Sequence, residues 1–177
     1  MKVINLLGEP SAGKSTLALG LAYAMKKRGL NVELVTEYAK DIVWEERTHV
    51  FEQQEYIFAK QSRKLYRLKG KVDYVITDSP LLLSLWYLKN SQTPPSFAPF
   101  IKDVISTYDN TYYFLNRKHD YDPVGRYQTE EQAKQISIEM KELMTDNDID
   151  FEYCDSSKKS VKRILRDLGI KKQKKAK

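Results

Sequence analysis

The sequence predicts a three-layer α/β domain built on a parallel sheet, and three observations carry that expectation. Five short apolar or β-branched runs alternate with segments of helical periodicity. The opening 35 residues read as strand, small-residue loop, helix and strand, the pattern of a right-handed parallel crossover. A chain of 177 residues, 41% hydrophobic and 31% charged, is long enough to bury one substantial core.

Each element has a local reason. Val3-Ile4-Asn5-Leu6-Leu7 is an apolar run suited to a buried strand. The small residues of Gly8 to Ser15 interrupt it. From Lys14 the pattern turns helical, with Leu17, Leu21, Ala24 and Met25 on one stripe and Gly29 as its stop. Asn31 to Val35 reads as the second strand. A long helical region follows, roughly Tyr38 to Leu68, broken near Arg47–Thr48 and closed by Gly70. Val72 to Thr77 is the third strand and runs into Asp78-Ser79-Pro80. A leucine-rich helix over 81–88 leads to a segment holding Pro94, Pro95 and Pro99, a loop by composition. Thr111 to Leu115 is the fourth strand. Thr129 and Gln132 form a capping box for a helix over about 130–144. Asp150 to Cys154 is the fifth strand, and a last helix starts near Ser157 and stops at Gly169.

Charge is distributed unevenly. The last 20 residues hold ten Lys or Arg against one acid, whereas the preceding 157 carry 20 bases and 23 acids. The expected division is a body over 1–157 and a basic helix and tail over 158–177. That tail reads either as a solvated end or as an anchor for nucleic acid. No apolar run approaches the roughly 18 residues of a spanning helix. The chain opens on a strand rather than on a signal sequence, and its single cysteine and two separated histidines form no disulfide or zinc pattern. The expectation is a soluble cytoplasmic protein with no membrane partner.

The strongest motif is Gly8-Glu9-Pro10-Ser11-Ala12-Gly13-Lys14-Ser15, a complete G-x-x-x-x-G-K-[ST] followed by Thr16. It sits between a strand and a helix, where backbone amides and the helix start cradle phosphates. Lys14 is expected to reach the β- and γ-phosphates of ATP, and Ser15 to bind Mg²⁺. Asp78, at the carboxyl end of the third strand, opens on the ligand crevice and either holds Mg²⁺ or caps the next helix. A GTPase would need Asp-x-x-Gly, but Asp78 is followed by Ser-Pro-Leu. A motor-type ATPase usually carries Glu after the strand-end Asp, and here Ser79 stands there. A small-molecule kinase with a lid remains.

The runs GEPSAGKST, VTEYAKD, VDYVITDSP and NRKHDYDPVGRYQTEEQA resemble the AAA-type P-loop kinase family that includes the ribosylnicotinamide-kinase domain of the bacterial NAD regulator. Many phage-encoded ATPases and nucleotide kinases are similar. A phage origin would make the location the host cytoplasm. The resemblance covers about residues 1–153. It implies a five-stranded parallel sheet ordered 2-3-1-4-5, with a lid over about 117–128. In related nucleoside kinases an acid ending strand two takes the proton of the attacking hydroxyl. Glu37 has that place, with a helix N-terminal acid as the alternative, and Asp78 is the second catalytic candidate, to share or take that role. Arg117 and Arg126 are candidates to meet the transferring phosphoryl. Gln54 lies on one helical stripe with Phe58 and is flanked by Phe51. Its amide would read a nucleobase between the two rings, or the stripe is core.

The expected function is transfer of the ATP γ-phosphoryl group to a nucleoside, nucleotide or related riboside. Whether the acceptor group is hydroxyl or phosphate is left open. A kinase of modified bases in DNA and a regulatory ATP-binding module are the alternatives.

Overall fold

The computed structural model describes residues 1–89, 91–124 and 128–171. Its strands are β1 (Lys2–Leu7), β2 (Val32–Val35), β3 (Tyr74–Thr77), β4 (Asp109–Leu115) and β5 (Glu152–Cys154). Its helices are α1 (Lys14–Lys26), α2 (Tyr38–Trp44), α3 (Gln54–Tyr66), α4 (Leu83–Leu88), α5 (Phe97–Ser106), α6 (Glu130–Asp146) and α7 (Lys158–Asp167). A 3₁₀ turn over Thr48–Glu52 joins α2 to α3, so the predicted break falls where Arg47 and Thr48 suggested.

The strands form one parallel sheet in the order β2-β3-β1-β4-β5. Successive side chains leave a strand on opposite faces, and the two faces feed two cores. Val3, Leu7, Val75, Tyr112 and Phe114 pack beneath α3, α4, α5 and α6. Ile4, Leu6, Ile76, Tyr113 and Leu115 pack against α1 and α7. Helices therefore cover both faces, as all-parallel sheets require. The boundary expected near residue 157 falls on the N-cap of α7, and that helix buries Ile164 and Leu165 within the second core. Among the described residues no helix is long and apolar enough to cross a membrane.

One element departs from expectation. The proline-rich segment is not a loop as far as Pro99, because α5 begins inside it at Phe97. Pro99 stands in the first turn of α5, where an amide N–H would lack an intrahelical partner anyway. The helix buries Ile101 and stacks Phe97 on Phe100.

Sheet register sets the site. Val35 and Asn5 both pair with Thr77, so the chain leaves β1, β2 and β3 at one edge. Gly8, Glu37 and Asp78 emerge there side by side.

Candidate active site

The loop from Gly8 to Ser15 is shaped by positions that tolerate little else. Gly8 has φ 138°, and a Cβ there would lie 2.7 Å from the Leu115 carbonyl oxygen. Gly13 has φ 86°, and a Cβ would meet Ser156 at 2.6 Å. Both need glycine for conformation and for space. Gly13 is the N-cap of α1, and neither a capping side chain nor an acid occupies the first turn. The first amides of α1 and its positive dipole end are thus left to an anion. Lys14 Nζ donates to the carbonyls of Gly8 at 2.8 Å and Glu9 at 3.0 Å, which holds its ammonium over the loop. Ala12 is buried in the core behind it.

Asp78 is the acidic counterpart. It is 6% exposed, and its Oδ2 accepts a 2.6 Å hydrogen bond from Ser15 Oγ. Its Oδ1 is buried with no hydrogen-bond partner. A buried carboxylate oxygen without a donor, beside a hydroxyl, suits a hard divalent cation. Ser15 and Asp78 therefore fit Mg²⁺.

These groups line one end of a cavity of about 620 Å³. Pro10, Ser11 and Thr16 share that end with the glycines. The rest is walled by α2, the 3₁₀ turn, α3, α4 and α6. Glu37, the N-cap residue of α2, lines it. Tyr87 lines it too, its phenol pushed well above the usual range by burial and by the Glu37 charge. Gln61, 4% exposed, is the bracket behind both acids. Its Nε2 donates to Ser79 O at 3.2 Å and to Thr36 O at 3.4 Å, and its Oε1 accepts from Tyr38 N at 2.9 Å. The helical stripe of α3 contained this residue but not its partners.

Gln54 also lines the cavity and is 1% exposed. Its Nε2 donates to Phe51 O at 3.2 Å, while Oε1 is buried without a partner. Its backbone N–H donates to Thr93 Oγ1 at 2.8 Å. No α3 side chain caps its own helix, and Thr93 of the proline-rich loop does so instead. Phe51 lines the cavity too. Phe58 does not. It is 2% exposed in the core with its ring edge-on to Phe97 and Phe100, so the expected sandwich of Phe51 and Phe58 is not formed.

The far wall belongs to α4 and α6, and the sequence reading assigns α6 no role. Trp86 Nε1 donates to Glu139 Oε2 at 2.7 Å, and Gln135 Nε2 donates to Oε1 at 2.9 Å. The bonds from Gln135 and Trp86 hold the Glu139 carboxyl below its usual range. Gln128, Gln132, Ile136 and Met140 continue this wall. A run of glutamines at nearly helical spacing was the available signal.

Arg117 is not on the cavity surface. Its Nε lies 2.9 Å from Glu9 Oε1 and one of its terminal nitrogens 2.8 Å from Glu130 Oε1. Arg126 lies outside the described residues, as do 172–177, the last six residues of the basic segment considered for nucleic acid.

A phosphate loop and a strand-end Asp on a parallel 2-3-1-4-5 sheet define the P-loop kinase fold. Residues 3–163 match the AAA domain family, and the chain belongs to it. Among solved structures, deoxyadenosine kinase from M. mycoides with bound dATP is similar at 22% identity and a TM-score of 0.58, covering 94% of this chain and 98% of that one. The same enzyme with dCMP and dCDP bound gives 20% identity and 0.60, over 96% and 99% of the two chains. NadR in complex with NR gives 16% identity and 0.72. That match covers 99% of this chain, which spans about half (54%) of the NadR chain. These likenesses are of fold. Comparison with curated proteins finds no match.

Proposed function

We propose that this chain is a kinase that moves the γ-phosphoryl group of ATP to a hydroxyl of a nucleoside or related riboside. The observation that carries the choice of a hydroxyl over a phosphate is the charge of the cavity beyond the phosphate loop. Its described lining there holds Glu37, Glu52 and Glu139 against Lys40, and no arginine. A phosphate acceptor would meet like charge in such a pocket, whereas a neutral or cationic riboside would not. Apolar and aromatic surface from Phe51, Ile57, Trp86 and Ile136 suits a planar base.

In this reading Gly8 to Thr16 bind the triphosphate, with Lys14 leaving its two carbonyls for the β- and γ-phosphate oxygens. Ser15 and Asp78 would hold Mg²⁺, which when bound neutralises phosphate charge. Glu37 accepts the proton of the acceptor hydroxyl as its oxygen bonds to the γ-phosphorus. The bond from that phosphorus to the β,γ-bridging oxygen breaks, and ADP leaves. Gln54 Oε1 accepts from an N–H on the edge of the base. Arg126 supplies the cation at the transferring group expected of the lid. The likeness in fold to deoxyadenosine kinase and to NadR in complex with NR supports the same acceptor class.

The test is ADP release with mass detection of product across nucleosides, nucleoside monophosphates, nicotinamide riboside and duplex DNA. Phosphorylation of a nucleoside hydroxyl is expected. Turnover of monophosphates alone would refute the hydroxyl acceptor.

A further inference from the structure

We propose that Arg117 is a positioning residue, a strut that ties the phosphate loop to the first turn of α6 through Glu9 and Glu130. The proposal rests on reading the phosphate loop as the ATP site. Two nitrogens of the guanidinium, Nε and Nη2, are occupied by two carboxylates from distant parts of the chain, at 2.9 and 2.8 Å. The Arg117 and Glu9 side chains are 10% and 11% exposed, and the Tyr121 ring lies 5.6 Å from the guanidinium carbon. Releasing Arg117 toward a substrate would leave the Glu9 carboxylate enclosed without its cation, a costly state. A rigid fork whose separate nitrogens serve two acids is a junction, and among cationic side chains arginine presents its donors in that fixed geometry.

The junction acts on the part of the loop that matters for ATP. The Glu9 carbonyl accepts from Lys14 Nζ at 3.0 Å and from Ala12 N at 3.2 Å. Anchoring the Glu9 side chain therefore fixes the peptide on which the lysine rests. A second tie comes from the same segment, because Asp122 N donates to Ser11 Oγ at 3.0 Å. Ser11 holds φ 65°, a left-handed conformation that a side chain adopts only when its surroundings impose it. The chain after β4 thus grips both residues that flank Pro10. Glu130 continues the connection into α6, whose later turns carry Gln135, Ile136 and Glu139 of the far wall.

The test is calorimetric titration of the full chain with ATP and Mg²⁺, without acceptor, alongside thermal melting. Glu9→Gln and Arg117→Ala are each expected to weaken ATP binding about tenfold, the size of effect seen when a coupled network is cut. The double variant should be no weaker than the worse single one, because both remove the same link. Arg117→Lys should recover only part of the loss, and Glu130→Gln should weaken binding less than Glu9→Gln. Wild-type ATP affinity in Arg117→Ala, losses that multiply in the double variant, or a reversed order of the two Gln variants would overturn the strut. Should Arg117→Ala fail to fold, Glu9→Gln decides alone, since it removes one charge and keeps the shape. A wild-type chain that takes up no ATP would instead refute the donor site itself.

Discussion

Replacing Thr93 by valine removes one hydroxyl from the proline-rich loop and tests how the acceptor wall is built. Thr93 Oγ1 accepts from Gln54 N at 2.8 Å and from Glu55 N at 3.4 Å, and donates to the Glu55 carboxylate. Valine fills the same volume, so the change isolates the hydrogen bonds. The residue is 6% exposed and Gln54 is 1% exposed, which leaves little room for water to take over the Gln54 amide. A buried donor without a partner costs on the order of 1–3 kcal/mol, and loss of a helix cap falls in the same range. About 2 kcal/mol is expected, which for a chain of this size lowers Tm by roughly 4–8 °C. Glu55 is exposed and regains its partner from solvent, so it adds little. Thr93→Ser keeps the hydroxyl and loses one methyl group, worth about 1 kcal/mol. Differential scanning calorimetry supplies Tm, and steady-state kinetics supplies the acceptor KM, which should rise for valine because Gln54 loses its anchor. A valine variant as stable as wild type, or one more stable than the serine variant, would refute the cap in trans.

Asp78→Asn keeps the shape beside Ser15 but removes the charge that the proposed function assigns to Mg²⁺. Its kcat should fall at least about a hundredfold and raised Mg²⁺ should restore little, as a magnesium titration of turnover would reveal. The Asp155 carboxyl is pulled down to about 2 by hydrogen bonds from Ser157 and Ser160 at the start of α7. Its folded value lies below the ordinary 3.8, so its stabilisation is full above that value and disappears as the pH falls through about 2. Urea unfolding at pH 2, 3, 5 and 7 should therefore show Asp155→Asn less stable than wild type at neutral pH, with the gap closing in acid. A constant gap would contradict the assignment. Burial pushes the Cys154 thiol up to about 12, so at pH 8 almost none is thiolate. An aromatic disulfide reagent should label the native chain far more slowly than the urea-unfolded one, and equal rates would show the thiol to be accessible.

What could be read from the sequence was what a few neighbouring residues determine together. The phosphate loop is such a case, because its glycines, lysine and serine lie within eight positions and their backbone geometry is local. The sheet is another, since alternating residues such as Val3 and Ile4 commit each strand to two cores. Helix α5 escaped because proline content signals a loop, although a first-turn proline such as Pro99 costs a helix nothing. Phe51 and Phe58 stand seven positions apart and read as equivalent neighbours of Gln54. Only the contacts of Phe58 with Phe97 and Phe100, some 40 residues on, turn it into the core. Arg117 makes the same point for charge. As a basic residue in a polar stretch it read as a cation for phosphate, yet its two acids come from 108 positions upstream and 13 downstream. No spacing rule links Glu9, Arg117 and Glu130, or Thr93 and Gln54. Those pairs exist because the parallel crossovers return each strand end to one edge, where residues far apart in the chain become each other's nearest partners. The site's chemistry is thus legible where one loop supplies it, and its selectivity and rigidity become legible only after the topology has been completed.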